Sequence, residues 1–149
     1  MQPGIDQLLM SVATTLATRI LPELGPESYA TGDARMSAAL AVMIAQEADR
    51  AADTLVRENR EMRAFIVEAL QKPLDPALHA TLAGEPAPDE TDLRISALSI
   101  VHDRLSEKLI DLHATVEEID MDWARAMDRE IWAFLLRGAE RRALVMPAM

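Results

Sequence analysis

The chain has no cysteine among its 149 residues. It therefore forms no disulfide, offers no thiol nucleophile and holds no cysteine-ligated zinc. Glycine is scarce, with five residues, and none of them builds a phosphate-binding loop or a Gly-x-Ser-x-Gly elbow. Lysine occurs only as Lys72 and Lys108, beside thirteen arginines, and the net charge is −10. A nucleic-acid partner is excluded on that balance, because affinity for phosphate backbones depends on clustered cations. No run reaches 18 consecutive apolar residues, so no membrane span is expected. Met1-Gln2-Pro3-Gly4 lacks the basic start of a secretory signal, and a cytoplasmic location is expected. Aromatic residues make up only 3%, which removes much of the side-chain inventory that strands favour.

What remains is rich in Ala, Leu, Met, Arg and Glu, the inventory of helices. Hydrophobic residues are 50% of the chain and charged residues 27%, a balance that supports one folded domain over residues 1–149. Ile5, Leu8, Leu9, Val12, Leu16 and Ile20 recur at three- and four-residue steps and predict a first helix, which Pro22 should kink or stop. A second helix is predicted from Asp33 to Gln71. Its inward face reads Met36, Leu40, Met43, Ile44, Ala48, Ala51, Leu55, Met62 and Ile66, and its alanine-rich middle invites close approach by a neighbour. Arg57–Glu61 interrupts this pattern and is expected to bend or lie exposed, with Asn59 near the stripe.

Residues 72–92 read as a mobile acidic connector with one short helix, broken by Pro73 and Pro76. Leu98, Val101, Leu105, Leu109, Leu112, Val116 and Ile119 then form a seam close to a heptad repeat within Glu90–Ile119, the spacing of a helix packed nearly antiparallel on another. Acidic residues at 89, 90 and 92 are expected in its first turn, where they suit the helix dipole. The last helix, Asp122 to about Arg142, turns Trp123, Met127, Ile131, Phe134, Leu135 and Ala139 inward, and the tail from Val145 should fray. The expected fold is all-α: an antiparallel bundle of four main helices plus one short connector helix.

The opening helix, with Leu9, Val12 and Leu16 and its end at Ile20-Leu21-Pro22-Glu23-Leu24, is followed by an Ala-rich helix from Arg35. These first 55 or so residues resemble small all-helical bacterial proteins of unassigned function found alongside aminoglycoside-phosphotransferase-like kinases. The resemblance implies an accessory role beside a metabolic enzyme and no catalytic residue.

Candidate chemistry gathers on few residues. His102 and His113 share one flank of the fourth helix but stand about 16 Å apart along its axis, too far to share an ion. His113 and Glu117 are four residues apart, a spacing that can chelate a cation. The pair resembles one element of the haemerythrin pattern without that family's further histidines, and the Glu-x-x-His pairs of ferritin-like di-iron bundles are missing. Glu47 falls within the predicted apolar sector. Turned inward, it would meet His102 or His113 and act as an acid, a base or a ligand; turned outward, it would pair with Arg50. Asp120-Met121-Asp122 begins like a calcium loop but lacks the glycine and terminal glutamate that such a loop needs, and reads as a turn.

The expected function is a non-catalytic interaction or accessory module without a cofactor. It is expected to self-associate as a homodimer through Trp132 and Leu136, a second apolar side of the last helix, with a metabolic enzyme as a further partner. The alternative is a small-ligand- or metal-binding bundle, or an enzyme, built on Glu47, His102, His113 and Glu117.

Overall fold

The computed structural model describes residues 3–84 and 91–145, and every regular element among them is helical. The helices are α1 (Ile5–Thr15), α2 (Tyr29–Ala69), α3 (Pro76–Ala83), α4 (Ile95–Glu118) and α5 (Asp122–Arg142). The all-α fold predicted from composition and spacing is what the chain adopts. No helix among the described residues is long and apolar enough to cross a membrane. The chain forms two compact units: Met1–Ala51 with Arg142–Met149, and Ala52–Arg141.

In the first unit, α1 runs on through a π-turn, Leu16–Ile20, into a 3-10 turn, Leu21–Glu23. Pro22 explains the change. Its ring clashes with a carbonyl one turn back and it has no N–H to donate, so the helix widens before it ends. α2 begins at Tyr29, ahead of the expected Asp33. The Thr31 hydroxyl donates to the Gly25 carbonyl at 2.8 Å and ties the turn to the new helix.

Among the described residues, the buried ones of this unit are alanines and Thr31: Ala13 on α1, and Ala34, Ala38, Ala39, Ala41, Ala45 and Ala51 on α2. The expected inward ridge of α2 is corrected here. Met36, Leu40 and Ile44 are 59%, 47% and 53% exposed, on the side of the helix opposite Ala34, Ala38, Ala41 and Ala45. Both sides of α2 are apolar, and the small-residue side is the one that closes, since alanine lets two helix backbones approach. The fraying expected at Val145 is also corrected. The Gln46 amide donates to the Val145 carbonyl at 2.9 Å and accepts from its N–H at 3.0 Å. Arg50 donates to the carbonyls of Ala143 and Arg142 at 3.0 and 3.2 Å. Residues 146–149 lie outside the described residues.

The second unit has a core of large side chains. Met62 and Ile66 from α2, Leu82 from α3, Leu105, Leu109, Leu112 and Val116 from α4, and Met127, Ile131 and Phe134 from α5 are all buried in it. Pairs across the helices set their directions. Phe65 meets Phe134 edge-on at 5.8 Å and Arg137 donates to Glu61 at 2.7 Å, so α5 runs antiparallel to α2. His113 meets Asp128 at 2.9 Å, so α5 is also antiparallel to α4. Asn59 bonds the Leu98 carbonyl and Ser106 the Met62 sulfur, so α2 and α4 run parallel. A parallel pair needs a long return connection, and residues 70–94 supply it.

Within that connector, Asp75 caps α3 by accepting from the Ala77 N–H at 2.8 Å, with Pro76 in the first turn. Residues 85–90, which hold most of the connector's expected acidic loop, lie outside the described residues. α4 starts at Ile95 rather than Glu90, and Asp92 stands before the helix, paired with Arg94. On α5, Gly138 is buried while Leu135 and Ala139 are exposed. The inward face therefore ends on the residue with no side chain.

The stretch expected to bend or lie open stays helical, and while Arg57 and Arg60 are exposed, Glu58 and Asn59 are the most buried polar residues among those described. Glu58 is 1% and Asn59 0% exposed. Glu61, one turn on, carries both Arg137 and Arg141. Burial pushes its carboxyl toward a higher pKa, but the hydrogen bonds and positive charges of the two arginines outweigh that and hold it below the usual carboxylate range. A depressed folded-state pKa gives stability that is present above the unfolded pKa and lost as pH falls through the folded one. Glu61→Gln should therefore be less stable than the parent at neutral pH. Urea melts of the two proteins should converge once the pH drops below Glu61's folded pKa, and a constant gap down the acid limb would show that the arginines do not stabilise the ionised carboxylate.

Candidate functional site

Two polar clusters stand on the second unit, each holding one of the α4 histidines. The first forms where α4 ends and α5 folds back. His113 Nε2 lies 2.9 Å from Asp128 Oδ1 and 3.7 Å from Glu117 Oε1. One ligand atom from each of the three residues lies within 4.8 Å of the others. The His113 side chain is 17% exposed and is braced by the indole of Trp132, edge-on at 5.4 Å. An open cavity of about 230 Å³ adjoins the cluster, lined by Glu117, Asp120, Arg125 and Asp128 among others. Arg125 turns to Asp120 and Asp122, which it pairs in the interhelical turn. The carboxylates of Glu117 and Asp128 are left on the cavity side.

The second cluster is interior. His102 Nε2–H donates to Glu58 Oε2 at 3.0 Å, Ser106 Oγ lies 3.4 Å from His102 Nδ1, and Arg141 Nη1 stands 3.9 Å from the other Glu58 oxygen. Serine, histidine and carboxylate in that order resemble a nucleophilic relay. The surroundings do not complete one. Ser106 Oγ–H also has the Met62 sulfur as an acceptor at 3.7 Å, and the amides around it are engaged within α4. Stabilising an oxyanion needs donors aimed at open space. This cluster pins α2, α4 and α5 together in register.

The residues singled out by sequence thus separate. His113 and Glu117 come together as the spacing indicated, and His102 lies in the other cluster. Glu47 is exposed and pairs with Arg50 at 3.5 Å, and the carboxylate beside His102 belongs to Glu58. Asn59 is not solvated: its amide donates to the Leu98 carbonyl at 3.3 Å. Asp128 is the member of the first cluster that spacing alone does not reveal. The signal for it is the turn at Asp120-Met121, since a helical hairpin folded there places His113 and Asp128 at matching distances from the bend. Trp132 and Leu136 are 57% and 63% exposed. Comparison of the chain with protein-family models, curated proteins and solved structures found no match in any of the three.

Proposed function

We propose that this protein is a cytoplasmic, non-catalytic helical interaction module that associates with a second copy of itself. The observation that carries this reading is the uneven core. The second unit buries leucine, isoleucine, methionine and phenylalanine, whereas the first buries alanines and Thr31 and leaves Met36, Leu40 and Ile44 outside. Those three, with half-buried Met43, step along α2 at the spacing of a helix–helix seam.

A second copy suits the seam on charge. The chain carries −10 overall, so most of its surface repels its own kind, but residues 36–46 contain no charged side chain. A two-fold pairing of identical seams buries apolar surface without bringing like charges together. Trp132, exposed on α5, already has a contact within the chain through His113. The resemblance of the first 55 or so residues to small helical bacterial proteins of unassigned function found alongside aminoglycoside-phosphotransferase-like kinases implies that such a dimer has an accessory role beside a metabolic enzyme.

Light scattering at tens of micromolar should give twice the 16.4 kDa chain mass. Leu40→Glu should return the monomer with its helix content unchanged, because Leu40 supports no internal contact that burial reveals. A parent protein that is cleanly monomeric at this concentration would sink the proposal. Leu136→Glu serves as the second arm: if it, and not Leu40→Glu, dissociates the dimer, the contact lies on α5.

A further inference from the structure

The geometry points to a divalent transition-metal site formed by His113 and Glu117 of α4 and Asp128 of α5. This inference is independent of self-association. One helix alone supplies two ligands one turn apart, which is too few for useful affinity, because first-row metals are held by several converging donors. The hairpin supplies the third from the facing helix.

The donor set is chemically coherent. Zinc takes imidazole nitrogen and carboxylate oxygen at about 2.0–2.2 Å, so ligands sharing a tetrahedral ion stand about 3.3 Å apart. The separations of 2.9 Å and 3.7 Å from His113 Nε2 to Asp128 and Glu117 bracket that value. Small side-chain rotations would bring the three onto one ion. His113 Nε2 would present its lone pair to the metal and carry its proton on Nδ1, replacing the hydrogen bond to Asp128 with a shared coordination bond.

Three features distinguish this cluster from a chance gathering of surface acids. The imidazole is mostly buried and its ring plane is fixed by Trp132. The two carboxylates come from different helices. The neighbouring cavity, lined by Glu117 and Asp128, gives water access to the two carboxylates, as in sites with three protein ligands and a water in the fourth position. One imidazole with two carboxylates favours zinc or manganese over magnesium, which binds carboxylates and water and does not need imidazole.

The test uses the full chain, stripped with chelator and dialysed, and titrated calorimetrically with Zn²⁺, Mn²⁺ and Mg²⁺. The expected result is one Zn²⁺ per chain with micromolar affinity, and weaker binding of Mg²⁺ than of either other ion. Glu117→Gln changes an exposed side chain and so keeps the fold, and it should weaken Zn²⁺ binding roughly tenfold or more, as should Asp128→Asn and His113→Gln. His79→Gln and His102→Gln should leave it unchanged. Nitrogen chemical shifts of the imidazoles give a second readout, in which Zn²⁺ should move His113 and leave His102 in place. No binding, binding undiminished in all three ligand variants, or a shift confined to His79 or His102 would each overturn the assignment.

Discussion

Glu58→Leu should lower the unfolding free energy by about 3 kcal/mol, read as a fall in urea midpoint. The Glu58 side chain is 1% exposed and sits between His102 and Arg141. Removing it takes from His102 the carboxylate it donates to at 3.0 Å and from Arg141 the more distant of its two carboxylates, Glu61 being the other. Breaking a buried pair from one side typically costs 3–5 kcal/mol. The lower end applies here, because His102 and Arg141 are 20% and 24% exposed and can recover some hydration. Glu58→Gln should cost less, since its amide oxygen still accepts from His102 while the charge facing Arg141 is lost. Combining Glu58→Leu with His102→Leu should recover part of the loss, because replacing both members of a buried pair by apolar groups is far milder than orphaning one. If the single change costs under about 1 kcal/mol, the interior cluster is not what holds α2, α4 and α5 in register.

This cluster also shows where reading the sequence succeeds and where it stops. The α4 seam was legible because Leu98, Leu105, Leu109, Leu112 and Val116 are large and recur at helical steps; all five are buried. The bounds of α5 were legible from the acidic turn before it and the arginines at its end. On α2 the same rule held at Ala51, Met62 and Ile66 but chose the wrong side over the first turns. Met36, Leu40 and Ile44 outweigh alanine on any hydrophobic scale, yet the alanine side is buried, because closeness of approach decided the contact and bulk did not. Glu58 and Asn59 were legible only as a gap in the pattern. A polar residue is stable in the interior when its partner stands opposite it. Those partners are His102, 44 residues on from Glu58, and the Leu98 carbonyl, 39 residues on from Asn59, fixed only by the parallel register of α2 and α4. Asp128 was hidden for the same reason. Its role depends on the point at which α4 turns into α5, and His113 with Glu117 shows only the half of the site that lies on one helix.

The second large effect separates two adjacent residues of α5, Phe134 and Leu135, both of which the sequence pattern turns inward. Phe134 is buried in the core against Phe65, with ring centroids 5.8 Å apart and planes at 70°, whereas Leu135 is 43% exposed. Truncating a buried phenylalanine to alanine costs about 3–5 kcal/mol, from lost apolar transfer and from the cavity left where neighbours do not fully collapse. The edge-on pairing with Phe65 adds to that loss, since such aromatic pairs contribute about 0.5–1.5 kcal/mol beyond their buried area. Leu135→Ala removes a side chain already in contact with water and should cost under about 1 kcal/mol. Urea melts followed by far-ultraviolet circular dichroism measure both variants, at one concentration so that any self-association weighs equally. Phe134→Ala should shift the midpoint several times further than Leu135→Ala. Equal shifts would mean that α5 is rotated about its axis from the orientation described, and would move His113's partner off Asp128 as well, because the same rotation sets both contacts.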